Sequence, residues 1–145
     1  MNKYLLDVNL LIALFDHKHL HHEQAHIWLQ KHQDDTWATC PIVENGFIRI
    51  LTHPSYKNII SSISNISEAL RKFKSNHPKS EFWADSISID TKLFNTEYIL
   101  GPNQITDAYL LALAIKNQGK LATFDKNINF ASVKNASLSC LEVID

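Results

Sequence analysis

The sequence predicts an α/β fold in which α-helices flank a central, mainly parallel β-sheet. Short apolar runs at residues 3–7 (KYLLD), 37–39 and 120–124 (KLATF) alternate with longer stretches whose apolar residues recur every three or four positions. Strands joined through helices lie parallel, because a parallel pair needs a long crossover. Two of the short runs lead directly into an acid, Asp7 and Asp125. In open α/β sheets that is the edge where ligands bind.

Each element has a local cause. Residues 3–7 read as a buried strand, and Asn9 is placed to cap a helix over 10–16. A second helix is expected over 20–32, with Ala25, Trp28 and Leu29 as its apolar stripe. After the strand at 37–39, Pro41 suits the first turn of a helix, since the N–H it lacks has no helical partner there. Val43, Phe47, Ile48 and Leu51 carry that helix to His53-Pro54, which stops it. Asn65-Ile66-Ser67-Glu68 resembles a capping box and predicts a helix through Leu70 and Phe73. Phe82 and Trp83 suit a short strand, and 91–100 a helix closed by Gly101-Pro102. Thr106 is placed to cap a helix over 107–118, which Gly119 ends. The strand at 120–124 follows, and 141–144 reads as the last one.

A length of 145 residues fits one domain, 1–145, and neither a linker nor a repeat divides it. Charged residues at 20% and a net charge of −1 argue neither for nor against nucleic acid, although a protein that wraps DNA non-specifically is usually more basic. Contact with nucleic acid would be local. Cys40 and Cys140 are too few and too far apart for a disulfide framework, which suits a reducing cytoplasm. The apolar N-terminus, 1–15, is interrupted by Asp7 and Asn9, so neither a signal peptide nor a membrane span is expected.

Four acids can share one site. Asp7 and Asp125 follow strands, Asp107 lies in the first turn of a helix, and Glu44 is about one turn into another. Four converging carboxylates would repel one another and raise their own pKa values unless a hard divalent cation neutralised them. Mg²⁺ takes oxygen ligands and is commonly shared between carboxylates and phosphates. The alternative for each acid alone is ordinary: a cap for Asp7, Asp107 and Asp125, a solvated helix residue for Glu44. Asp16, Asp34, Asp35 and Asp85 lack strand-end placement and read as surface acids.

The stretches that carry these acids resemble the PIN domain, and in particular the VapC toxins of bacterial toxin–antitoxin pairs. LLDVNLLIALFD, from Leu5, carries D-x-N at Asp7 and Asn9, and VENGFIRILTHP, from Val43, carries Glu44. QITDAYLLALAIKNQGKLATFD, from Gln104, carries T-D-A at Thr106 and T-x-D at Thr123 and Asp125; FWADSISID before it resembles one VapC subgroup. The resemblance implies a PIN-like fold, and Mg²⁺- or Mn²⁺-dependent cleavage of a structured tRNA or ribosomal RNA loop by an activated water. The products would be a 5′-phosphate and a 3′-hydroxyl. Asn9 and Thr123 would orient the acids or a water. A cognate, VapB-like antitoxin would silence the groove, and a homodimer is the family habit. Arg49, Arg71, Lys72, Lys74 and Lys92 are candidate phosphate contacts, though basic helix faces are often merely solvated.

Other readings remain. His22-Glu23-Gln24-Ala25-His26 is a literal H-E-x-x-H, the pattern of a zinc metallopeptidase. Six of the eight histidines fall between His17 and His32, and that density favours an accidental match on a solvent-facing patch. No third zinc ligand stands out downstream. A haloacid-dehalogenase phosphatase wants a second acid where Asn9 stands, and a response-regulator receiver wants adjacent acids near its first strand. A PIN nuclease that is not a toxin, or an inactive PIN-like binding module, would share most of the pattern; the full set of acids speaks against the inactive form.

Overall fold

The computed structural model describes residues 2–145; Met1, the first residue of the N-terminal apolar run, lies outside the described residues. Strands β1 (Lys3–Leu6), β2 (Thr36–Thr39), β3 (Ser80–Phe82), β4 (Lys120–Thr123) and β5 (Leu141–Val143) form one sheet in the order β3-β2-β1-β4-β5. Every pairing is parallel, as the alternation of elements predicts. The crossovers carry α1 (Val8–Phe15), α2 (His22–Lys31), α3 (Pro41–Leu51), α4 (Ile63–Ser75) and α5 (Gln104–Lys116). β1 lies at the centre. The chain adds β2 and β3 on one side of it and β4 and β5 on the other, so the strand order reverses between β1 and β4 and opens a crevice at their carboxyl ends.

Burial explains why these runs are strands. Tyr4, Leu5 and Leu6 are buried on both faces of the sheet, so β1 is continuously apolar rather than alternating. In α5, Ala108 to Ala114 are all buried, and a helix apolar on every side belongs inside the protein. Cys40 is buried, which pushes its thiol up to about 12, and both cysteines are free. Among the described residues no helix is long and apolar enough to cross a membrane.

Several boundaries differ from the sequence expectation. Asp7, not Asn9, caps α1: its backbone is extended and its Oδ1 accepts the Val8 N–H at 2.7 Å. Asn9 is an exposed residue of the first turn. Helix α4 starts at Ile63, with Ser62 Oγ accepting the Asn65 N–H at 3.0 Å, so Asn65 lies inside the helix instead of capping it. Helix α5 opens at Gln104, before Thr106, without a side-chain cap. Its far end is a Schellman turn in which the Gln118 N–H reaches Ile115 O and the Gly119 N–H reaches Ala114 O. The left-handed residue there is Gln118, at φ 61°, rather than the glycine. Gly119 is needed for space, since a Cβ would lie 2.8 Å from the Lys3 carbonyl oxygen.

The helix expected over 91–100 is only a 3-10 turn at Thr96–Tyr98. Phe94 is buried and forms an antiparallel bridge with Val133, and the Lys134 N–H donates to Leu93 O at 2.9 Å. Long-range pairing here outweighs a weak local preference. Asp16 is not a surface acid: it is 1% exposed and accepts from the Tyr56 hydroxyl, the Asn58 amide and the Lys18 N–H. Burial pushes its pKa up, but those donors pull harder, and the net shift is downward. Asp16 thereby ties the end of α1 to the loop between α3 and α4.

Candidate active site

The crevice between β1 and β4 is built around a threonine. Thr123, the last residue of β4, is 1% exposed. Its hydroxyl donates to Asp7 Oδ2 at 2.7 Å and accepts the Asp125 N–H at 3.0 Å. One buried side chain therefore fixes two acids from distant parts of the sequence. Asp7 needs this support because it is itself 7% exposed. Burial raises its pKa, hydrogen bonds from Thr123 and the Val8 N–H offset part of that, and the charge of Asp125 raises it further.

Asp107 sits in the first turn of α5 beside these two. Burial, then the charges of Asp7 and Asp125, push its pKa up to about 6. A cavity of about 260 Å³ opens over Asp107 and Asp125, with Gln104, Asn127 and Asn129 on its polar walls. Asp125 raises the proton affinity of both Asp7 and Asp107, and Asp7 that of Asp107, so the three carboxylates form a site short of positive charge. Among the described residues none of the three has an ion-pair partner. Likewise, among the described residues no three His, Cys, Asp or Glu side chains are gathered closely enough to hold a metal ion as they stand.

These shifts have a measurable consequence. Asp7 and Asp107 bind protons more tightly in the fold than in the unfolded chain, so stability from this source is greatest in acid and falls as they ionise. For Asp107 the window runs from about pH 4, the ordinary carboxylate range, to about 6. In EDTA, the thermal midpoint of the wild type should fall across that window more than that of Asp107→Asn. Parallel pH profiles for the two proteins would contradict the assignment.

Glu44 has partners of its own. Its Oε2 accepts the Thr39 hydroxyl at 2.6 Å and the Lys74 ammonium at 2.5 Å, and it lines a separate hollow of about 510 Å³ with Arg71 and Lys74. Gly46, two residues on, lets α3 press against Val8 at the start of α1, since a Cβ there would lie 3.3 Å from the valine side chain. The exposed Arg49 places its guanidinium near the same spot, 4.0 Å from that Cβ position. Arg71 is ion-paired with Glu68 on its own helix, while Lys72 and Lys92 are exposed.

Sequence reasoning missed Thr39 and the role of Lys74. Thr39 repeats the pattern of Thr123: β2 (TWAT) and β4 (KLAT) each end on a buried threonine that donates to an acid, a signal readable in hindsight. The H-E-x-x-H histidines have structural partners. His22 Nδ1 donates to Ala13 O at 2.7 Å and His26 Nε2 to Leu14 O at 2.8 Å, which satisfies carbonyls at the end of α1, and Glu23 points into solvent.

The fold and the position of the acids define a class. A PIN domain profile matches residues 4–135, and the chain belongs to the PIN-domain family, among its VapC-type members. It is 40% identical over 134 residues to Ribonuclease VapC44 of Mycobacterium tuberculosis (strain ATCC 25618 / H37Rv), covering 92% of this chain and 93% of that one. It is similar to two further proteins of the same strain. Ribonuclease VapC38 is 36% identical over 126 residues, with 86% of each chain covered, and Ribonuclease VapC39 is 33% identical over 141 residues, with 97% and 98% covered.

Proposed function

We propose that the chain, as a single PIN domain of residues 1–145, is a divalent-metal-dependent endoribonuclease and the toxin of a type II toxin–antitoxin pair. The observation that carries this reading is the Thr123 bridge, which holds Asp7 and Asp125 at the crevice where their charges bear on Asp107. The names of its relatives, all ribonucleases, agree with it. Hard oxygen donors in a charge-poor crevice suit Mg²⁺ or Mn²⁺. Such an ion, when bound, neutralises the carboxylates, makes water a better nucleophile and stabilises charge on the phosphoryl oxygens.

The chain's own residues position that chemistry. Asp7, Asp107 and Asp125 would hold the ion, with Glu44 as a fourth ligand, and Thr123 keeps Asp7 from rotating. Asn9, exposed on the first turn of α1, would orient a water or the substrate. Arg49, Arg71, Lys72 and Lys92 would contact backbone phosphates of a structured RNA, a tRNA or ribosomal RNA loop; attack of water on phosphorus with loss of the 3′-oxygen would leave 5′-phosphate and 3′-hydroxyl ends. A VapB-like antitoxin would cover the crevice, and the active form would be a cytoplasmic homodimer.

The test is cleavage of total bacterial RNA by the purified protein with Mn²⁺ or Mg²⁺, against EDTA. Discrete fragments that need the metal and persist in His22→Ala/His26→Ala are the expected result. Cleavage that survives EDTA, or is lost in the histidine variant, would overturn the assignment of the site.

A further inference from the structure

Among the described residues, Glu44 is the one of the four acids with an ion-pair partner. The Lys74 ammonium, reaching across from α4, lies 2.5 Å from Glu44 Oε2 and 5.1 Å from the centre of the Phe82 ring. The pair is partly exposed, at 27% for the lysine side chain and 23% for the glutamate. Arg71, one turn earlier on the same helix face, shares the hollow beside it. The aspartates show the opposite arrangement: among the described residues none of them has an ion-pair partner.

An ammonium and a hard divalent cation compete for the same carboxylate oxygen. A partly exposed lysine pair is weak, and the four-carbon stem lets the charge swing away at little cost. Resting on the ribonuclease reading, we propose that Lys74 is a resident counter-cation that is exchanged on loading. It neutralises Glu44 in the metal-free protein, then yields that carboxylate to the divalent ion and moves its ammonium onto a backbone phosphate of the bound RNA. Lys74 is thus a positioning residue for Glu44 in one state and a substrate contact in the other.

A lysine that merely braced Glu44 would behave differently, and two binding measurements separate the roles. In Lys74→Met, loss of the competing charge should tighten Mn²⁺ binding to the RNA-free protein about three- to tenfold, read by calorimetry or Mn²⁺ electron paramagnetic resonance. With Ca²⁺ in place of Mg²⁺, the same variant should bind bulk tRNA more weakly, with a salt dependence shallower by about one phosphate contact. Lys74→Arg, which keeps the charge, should stay near wild type in both, and circular dichroism checks that each variant is folded. Mn²⁺ binding that is unchanged or weaker in Lys74→Met, or an unchanged salt dependence, overturns the exchange while leaving the nuclease intact. A wild type that binds no Mn²⁺ overturns the ribonuclease reading, and the exchange with it.

Discussion

Replacing Asp7 with asparagine is expected to lower RNA cleavage by about a thousandfold or more without unfolding the protein, because it removes a charge that would hold the proposed cation. The amide has the shape of the carboxylate, and its oxygen can still accept the Val8 N–H that caps α1. Its NH2 can turn to the Thr123 hydroxyl, which has a lone pair to spare. What disappears is a negative charge at a position 7% exposed, where burial already disfavours it. At neutral pH in EDTA the variant should therefore melt no lower than the wild type while losing Mn²⁺ affinity. Calorimetry and a cleavage assay read the two halves separately. Cleavage at the wild-type rate in Asp7→Asn would remove this residue from the mechanism.

The second large effect is expected at Thr123, behind the proposed metal ligand Asp7. Thr123→Val keeps the volume of a side chain that is 1% exposed but deletes the hydroxyl between Asp7 and the Asp125 N–H. Leaving that N–H and a buried carboxylate oxygen without partners costs about 1–3 kcal/mol in denaturant unfolding. Losing a residue that orients a metal ligand lowers activity about 10–100-fold. The valine also removes a donor that holds the Asp7 pKa down, so the apparent pKa of cleavage should rise. Thr123→Ser, which restores the hydroxyl, should recover most of both losses. A valine variant as active as wild type would show that the bridge is only scaffolding.

The parts of this fold legible in the sequence are those set by strong local signals. The apolar runs ahead of Asp7 and Asp125 announce β1 and β4, the uninterrupted apolar stretch from Ala108 announces α5, and Pro41 marks the start of α3. Strand-end logic places Asp7 and Asp125 along one edge, and the helix start before β4 adds Asp107. What was not legible depends on partners far away in the chain. The 91–100 region looks helical until Val133 pairs with Phe94. Asp16 looks like a surface acid until Tyr56 and Asn58, 40 and 42 residues on, close over it. Glu44 reads as one more member of the acidic set, and only α4 folding back brings Lys74, 30 residues away, onto its carboxylate.

The Thr123–Asp7 hydrogen bond joins residues 116 positions apart, and β1 pairs directly with β4. A centre assembled from residues this far apart cannot exist until both of the strands that carry them have been synthesised. Asp7 emerges first and waits without its threonine, and the crevice closes only after Asp125 has been synthesised and β4 has docked. Non-local pairing of this kind is slow compared with helix formation. For a protein whose proposed targets include the RNA of the translation machinery, this topology is a delay in time: the nascent chain is inert until β4 has been made and has docked.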